Sequence, residues 1–383
     1  MKFKVNTKLL GSILHPLAKD VAPKGIDQVS IRIVDDGVAR RLILRSVIPA
    51  IDVTAEMPIL EIEGELTGSI CAPASVLCDY LDHIDLENVE IEITDDMVGI
   101  HQAGSCARFP VFADELPETR QVEGTPLNLR LSSSPFRDAL AALLPAAAVD
   151  GVRPQLSGVH IETREGIAEL VCTDSRILVL ERMDAGEGSD DGVSANIAAE
   201  VAKFLAKVSV TADEVQGVHI EFGEDGAAAR ANVGPFCIVF PLVKEKYPDY
   251  RKIIGADTPL VATVSAAAFR LGLNIAQVSD VAGLVQLDFK GGIIDASLVV
   301  TSEDLVPGAP SRTTSTFPCE YGGEDLSIAF PRKRMIDGIK ALDCQDVEIR
   351  MKSPRHAAFL SAAHREEGEA DRLVMLMPMM KAA

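Results

Sequence analysis

The sequence of 383 residues predicts an α+β chain in which one unit is used three times, each copy two helices packed on antiparallel sheets. Three observations predict it. The segment Val89-Glu90-Ile91-Glu92-Ile93 recurs as Val218-His219-Ile220-Glu221-Phe222 and again as Val347-Glu348-Ile349-Arg350-Met351, each copy 129 positions after the last. Its apolar/polar alternation is that of a half-buried strand. Each copy follows an apolar stretch with helical spacing, at 74–81, 198–206 and 332–342. A strand, a polar residue able to cap a helix, and apolar residues at helical spacing also recur, at Val5-Asn6-Thr7, Leu131-Ser132-Ser133 and Val264-Ser265. Solenoid repeats run ~20–50 residues, so this period is instead the length of a small domain, ~100–150.

Element by element, Leu9, Leu10, Ile13, Leu14 and Leu17 form the apolar face of the first helix. Strand-like runs follow at 28–33, 41–47 and 52–59, before the second helix at 74–81. In the second unit Phe136, Leu140 and Leu143 mark the first helix, and strands are expected at 158–162, 168–172, 177–182 and 236–243. In the third, Phe269, Leu273 and Ile275 mark the helix, with strands at 284–289 and 294–301. Turn-rich joints at 112–126 and 254–259 separate the units, giving domains 1–124, 125–255 and 256–383. Polar loops are expected at 186–192, 302–312 and 366–371.

The seven cysteines include no Cys-x-x-Cys pair, and no histidine stands at ligand spacing near Cys71 and Cys78. They read as reduced core thiols, with no metal expected. The opening Met1-Lys2-Phe3-Lys4-Val5 reads as a strand, and no apolar run nears the ~18 residues that span a bilayer. A cytoplasmic protein with no membrane partner is the expectation. The net charge of −20 argues at first against a polyanion. The six helix-like stretches, however, together carry +3, which leaves −23 for the rest of the chain. Such a distribution suits helices that face a polyanion and sheets that face solvent.

Catalytic signatures are missing: the sequence holds no phosphate loop, dinucleotide turn, His-Glu-x-x-His or nucleophile elbow. The seven histidines are scattered. Asp35-Asp36, Asp95-Asp96 and Asp190-Asp191 read as solvated turns, and His219 with Glu221 as a surface pair. No catalytic residue and no cofactor is therefore expected.

Four stretches carry a resemblance over the whole length: Met1-Lys2-Phe3 with the helix up to Leu17; Arg153-x-x-Leu156-Ser157-Gly158 followed by Cys172-Thr173-Asp174-Ser175-Arg176; Tyr247-Pro248-Asp249-Tyr250-Arg251; and Met377-Pro378-Met379. Together they resemble the bacterial DNA polymerase III β subunit, the sliding-clamp family of processivity factors. The resemblance implies a non-catalytic head-to-tail homodimer, with three clamp domains per chain, closed around double-stranded DNA without regard to sequence. It implies helices lining the hole, and partners that include the polymerase III catalytic subunit, the clamp loader and other clamp-motif proteins. A specialised homologue with a restricted partner set is the alternative within the same fold.

By position, the resemblance implies DNA-facing cations at Lys24, Arg137, Lys203, Lys207, Arg270, Arg332, Lys333, Arg334 and Lys340. The stretch 72–85 departs from it, carrying Asp79, Asp82 and Asp85 and no Lys or Arg, and Pro154 and Gln155 replace family aromatics. A partner-peptide cleft would be lined by Leu156, Thr173, Ser175, Arg176, Ile177, Leu178, Pro248, Lys252, Ile253, Met375, Met377, Pro378 and Met379, with Arg355 to Ala357 beside it. Unbranched methionine side chains suit a surface that repacks against several partners. Phe109 and Val111 on an edge strand, with Leu273 and Ile275 on a helix, would join the subunits.

Overall fold

A computed structural model of the chain describes residues 1–19, 28–48, 51–64, 68–102, 104–113, 116–210, 217–255, 257–277, 283–291, 297–304, 311–365 and 371–379. The first third contains β1 (Lys2–Asn6), α1 (Thr7–Lys19), β2 (Gln28–Asp35), β3 (Arg40–Ile48), β4 (Ile51–Pro58) and β5 (Glu61–Glu63). It continues through β6 (Ser69–Pro73), α2 (Ala74–Leu81), β7 (Asn88–Ile93), β8 (Met97–Gln102), β9 (Ser105–Pro110) and β10 (Phe112–Ala113). The second third contains β11 (Leu127–Leu131), α3 (Ser133–Leu143), β12 (Gly158–Arg164), β13 (Ile167–Thr173), β14 (Ile177–Asp184), β15 (Ser194–Ala198) and α4 (Ala199–Val208). It closes with β16 (Val218–Phe222), β17 (Ala228–Val233), β18 (Phe236–Pro241) and the short α5 (Arg251–Ile254). The last third opens with β19 (Leu260–Ser265), α6 (Ala266–Ala276), β20 (Leu284–Lys290), β21 (Ser297–Asp304), β22 (Ser311–Pro318) and β23 (Glu320–Tyr321). Then come β24 (Leu326–Pro331), α7 (Arg332–Leu342), β25 (Asp346–Met351), β26 (Ala358–Ala362) and β27 (Asp371–Leu376).

The recurrent segment is β7, β16 and β25, and in each its apolar residues are buried while its polar ones stay partly open. The stretch at 294–301 is a strand from Ser297 onward, its first three positions lying outside the described residues. Caps differ among the copies. The Asn6 side chain accepts the amide of Leu9 at 2.9 Å and starts α1, whereas Ser265 makes no side-chain cap to α6.

Two compact units result. One comprises Met1–Arg137, Gly186–Val193 and Lys203–Leu242; the other comprises Asp138–Ala185, Ser194–Ala202 and the chain from Val243 onward. The first unit holds a five-stranded sheet, β5-β1-β7-β8-β9, and a nine-stranded sheet, β10-β6-β2-β3-β4-β18-β17-β16-β11. The second holds a nine-stranded sheet, β15-β12-β13-β14-β27-β26-β25-β19-β23, and a four-stranded one, β22-β21-β20-β24. Each nine-stranded sheet thus joins five strands of one chain third to four strands of its neighbour. The joins are antiparallel and equivalent: β4 meets β18 with Val53 opposite Ile238, and β14 meets β27 with Leu180 opposite Leu373.

At the β14–β27 join a charged pair is buried. Glu181 stands opposite Arg372, whose Nε donates to Oε2 at 2.7 Å, and both side chains are almost fully covered. Arg372 also donates to the carbonyl of Ala341 at the end of α7. Burial pushes the Glu181 carboxyl above the usual range, and the Arg372 guanidinium acts against that rise. Replacing one partner leaves the other as an uncompensated buried charge. Arg372→Ala is therefore expected to cost about 3–5 kcal/mol in a urea unfolding measurement, whereas Glu181→Leu with Arg372→Met is expected to be near neutral.

Candidate functional site

The motif stretches of the second unit are tied together by their own polar atoms. In the turn between β13 and β14, the Thr173 hydroxyl donates to the Ile177 carbonyl at 2.6 Å and accepts the Ser175 amide at 3.0 Å. Asp174 Oδ1 accepts the amides of Arg176 and Ile177 at 2.8 and 2.9 Å. Ser175 takes φ 76°, a left-handed value that a non-glycine residue holds only under such restraint. Arg153 reaches across to this turn, its Nη1 donating to Ser175 Oγ at 2.5 Å and its Nη2 to Asp150 at 2.8 Å. Gly158 is required where β12 passes β15, because a Cβ there would lie 2.0 Å from the Ile197 carbonyl oxygen.

Above this frame lies the strap 247–254. Tyr250 donates to Glu169 Oε2 at 2.7 Å and to Glu162 Oε2 at 3.2 Å, and Arg251 pairs with both carboxylates. Tyr247 stacks on His160 with ring centroids 4.4 Å apart, and His160 Nε2 lies 3.1 Å from Glu162. Burial would raise the Glu162 and Glu169 carboxyls; hydrogen bonds from His160 and Arg251 to the first, and from Tyr250 and Arg182 to the second, hold both below the usual range instead. Burial, and then its bond to Glu169, push the Tyr250 hydroxyl up, so it remains a donor at any ordinary pH.

The strap closes one buried apolar cluster, and three expected cleft residues, Leu156, Leu178 and Met375, belong to it. Ala148, Val171, Leu180, Phe359 and Leu373, with Tyr247 and Tyr250 of the strap, complete it, and Ile254 and Ala357 pack against it. At the surface stand Ser175, Arg176, Pro248, Lys252, Ile253 and the partly covered Pro378, with Met377 and Met379 each 38% exposed. The terminal segment is held by its backbone: the Met377 amide donates to the Arg176 carbonyl and the Met379 amide to that of Ala329, both at 2.8 Å. Two residues depart from expectation. Ile177 is wholly buried on the opposite face of β14, next to Gly338 of α7, because successive strand residues point to opposite sides. Thr173 is buried too, its hydroxyl consumed by the turn.

Among the expected cations, Lys203, Arg270, Lys333 and Lys340 are exposed and Arg332 is partly so. Arg137 bonds Ser134 at 3.1 Å, and Lys207 donates to the His15 carbonyl at 3.4 Å. Arg334 needs correction as a surface contact. Its guanidinium pairs with Asp174 and with Asp337 and donates to the Pro145 carbonyl at 2.9 Å, so its charge is spent inside the unit. Lys24 lies outside the described residues.

Of the expected contact residues between subunits, Phe109 is half-buried on β9, edge-to-face with Tyr80 of α2 at 5.9 Å, and Val111 is half-buried just beyond it. Leu273 is corrected: it is 0% exposed, inside the second unit's core. One helical turn sets Leu271 (56% exposed) and Ile275 (40%) on the same outer face of α6 instead. That helix lies flush against β22, where a Cβ on Gly272 would meet the Phe317 ring at 2.5 Å.

His219 and Glu221 serve separate partners, Asn128 at 3.0 Å and Arg230 at 3.2 Å. Of the cysteines, Cys71, Cys78 and Cys172 are buried thiols, Cys237, Cys319 and Cys344 are partly covered, and Cys106 is exposed on β9 rather than in the core.

No protein-family model matches the chain. Curated relatives named "Beta sliding clamp" do: that of Halalkalibacterium halodurans is 24% identical over 294 residues, 75% of each chain, and that of Streptomyces coelicolor 24% identical over 340 residues, 84% of each. Among solved structures, the DNA polymerase III β subunit of Pseudomonas aeruginosa superposes with a TM-score of 0.86 at 21% identity, covering 99% of this chain and 100% of that one. The β subunit of Thermotoga maritima gives 0.86 at 19% identity and full coverage of both.

The strap carries a testable pH dependence. Carboxyls held below their unfolded value stabilise its docking above the ordinary glutamate pKa of 4.5, and the contribution is lost as pH falls through the lower folded values. Tyrosine emission should change in that acid window, since the chain has no tryptophan and Tyr247 and Tyr250 both sit in the strap. In Arg251→Gln the carboxyls lose a lowering influence, so the change should begin at higher pH; identical midpoints would count against the account.

Proposed function

The chain is a homologue of the bacterial β sliding clamps with their α+β fold, and from that premise we propose that two copies close head to tail into a ring around duplex DNA and tether a DNA polymerase to it. The observation that carries the reading is the strand count at the sheet edges. Both nine-stranded sheets are five strands joined to four, while the five-stranded sheet ends on β9 and the four-stranded sheet ends on β22. Strand β9 occupies the place that β18 and β27 hold at the internal joins, and β22 the place of β4 and β14. Pairing β22 of one copy with β9 of the next makes a third antiparallel nine-stranded sheet and leaves neither edge as a template for aggregation. Phe109 with Val111, and Leu271 with Ile275, flank those two edges and supply its apolar contact.

In this reading the three domains are 1–124, 125–255 and 256–383, and the role is non-catalytic, performed in the cytoplasm. Lys203, Arg270, Lys333 and Lys340 make loose phosphate contacts, which suffice when topology rather than affinity retains the DNA. Leu156, Leu178 and Met375, with Met377, Met379 and Ile253 at the rim, receive short linear motifs of the polymerase, the clamp loader and other clamp-motif proteins. A few apolar anchors carry most of the free energy in such pockets.

The test of function is topological. Protein loaded on a nicked circular duplex should be released when the circle is linearised, and binding to short linear duplex should be weak and salt-sensitive. Retention on linear DNA in high salt would overturn the reading. Leu271→Asp with Ile275→Asp should convert the dimer to monomer in light scattering without unfolding either unit, whereas Leu273→Ala should lower stability by about 2–5 kcal/mol. Met377→Ala with Met379→Ala should weaken a peptide of the Gln-Leu…Leu-Phe type by about 2–4 kcal/mol in a calorimetric titration and leave the dimer intact.

A further inference from the structure

Helices α1 and α2 pack together in the first unit, and their contact gathers three donor groups that are scattered in the sequence. His15, near the end of α1, places Nε2 2.7 Å from Asp82 Oδ1. Cys78, one turn before Asp82, is buried beside them. His15 nitrogen, Cys78 Sγ and an Asp82 carboxylate oxygen all lie within 4.8 Å of one another.

We infer that His15, Cys78 and Asp82 form a divalent metal site whose donors suit zinc. The spacing of Cys78 and Asp82, i and i+4, puts both on the face of α2 that meets α1. Zinc bonds of about 2.3 Å to sulfur and about 2.0–2.1 Å to nitrogen or oxygen hold tetrahedral ligand atoms somewhat over 3 Å apart. The His15–Asp82 separation of 2.7 Å is shorter than that value and no separation exceeds 4.8 Å, so an ion enters by parting the His15–Asp82 hydrogen bond and turning side chains slightly. Thiolate and imidazole donors select a borderline-soft ion and disfavour magnesium and calcium. Three protein ligands leave a fourth position for water. His15 and Asp82 are partly exposed and provide the entry path.

On binding, the Cys78 thiol gives its proton to solvent, and the two anionic ligands then neutralise the ion. The local charge thereby rises by one on a helix that otherwise presents Asp79 and Asp82 and no cation. The Lys207 ammonium donates to the His15 carbonyl at 3.4 Å. His83 spends Nδ1 on the Asp79 carbonyl at 2.7 Å. The site does not depend on the clamp reading, and it clips α1 to α2 whatever the ring does.

The test uses the full-length chain stripped with a chelator and titrated with Co²⁺. One equivalent should produce a thiolate-to-cobalt charge-transfer band in the near ultraviolet, abolished by added Zn²⁺. His15→Gln and Asp82→Asn, both at partly exposed positions that spare the buried thiol, should lose the band, as should Cys78→Ser. Cys106→Ser should keep it; that thiol lies 3.7 Å from His101, itself 2.9 Å from Glu92, and is the rival source of a thiolate ligand. Zinc should raise the thermal midpoint of the wild type and not of His15→Gln. Absence of the band, its persistence in His15→Gln and Asp82→Asn, or its loss in Cys106→Ser would each overturn the site.

Discussion

Edge pairing of antiparallel strands is the constraint on which the rest of this structure depends. A sheet edge exposes a row of backbone donors and acceptors, and these must be paired, covered or charged. The chain meets that requirement at its internal boundaries by running one third's strands directly into the next, so that β4 continues into β18 and β14 into β27. The compact units consequently do not coincide with the sequence repeat: strands of the middle third are shared between two sheets in two different units.

The second join also organises the candidate cleft. Strands β14 and β27 present one face, Ile177, Val374 and Leu376, to Gly338 on α7, and the other, Leu178, Leu180, Leu373 and Met375, to the strap. The strap is not held by apolar contact alone. Glu162 and Glu169 on adjacent strands receive Tyr250 and Arg251, so these two residues latch the segment Tyr-Pro-Asp-Tyr-Arg to the sheet while Asp249 stays exposed and pairs with Lys252. Buried carboxylates are costly unless bonded, and here each has several donors, which is why burial fails to raise them. The exposed methionines lie where the last strand leaves this frame, their amides bonded and their side chains outward.

The repeat was legible because strand alternation and helical spacing are local properties, and β7, β16 and β25 lie where they predict. The motif stretches were legible as motifs, but their division of labour was not. Thr173 and Ser175 read as lining and proved, with Asp174, to be parts of a turn, a fact carried by bonds to Ile177, Arg176 and Arg153. The error at Ile177 is one position of strand register, and that at Leu273 is two positions of helical phase. Each flips a side chain between core and surface, and neither shift is visible without the packing partner. Arg334 looked like a surface cation because Asp174, its partner, lies 160 positions earlier in the chain. The grouping of His15, Cys78 and Asp82 was illegible for the same reason: ligand spacing along a sequence finds only groupings made by one element, and this one is made by two.

Charge distribution ties these levels together. With a total of −20, the molecule would repel a polyanion were its charge spread evenly. The acidic excess instead falls outside the helices, while Lys203, Arg270, Lys333 and Lys340 stand exposed on α4, α6 and α7. In the proposed clamp, phosphate contacts from these four cations are of a kind that salt screens readily. That weakness is consistent with the folded arrangement elsewhere. Arg334 and Arg372 are held in ion pairs with Asp174 and Glu181 that brace β14, β27 and α7. In the proposed clamp, rigid guanidinium pairing thus goes to the frame, while the exposed Lys203, Arg270, Lys333 and Lys340 are left for loose phosphate contact.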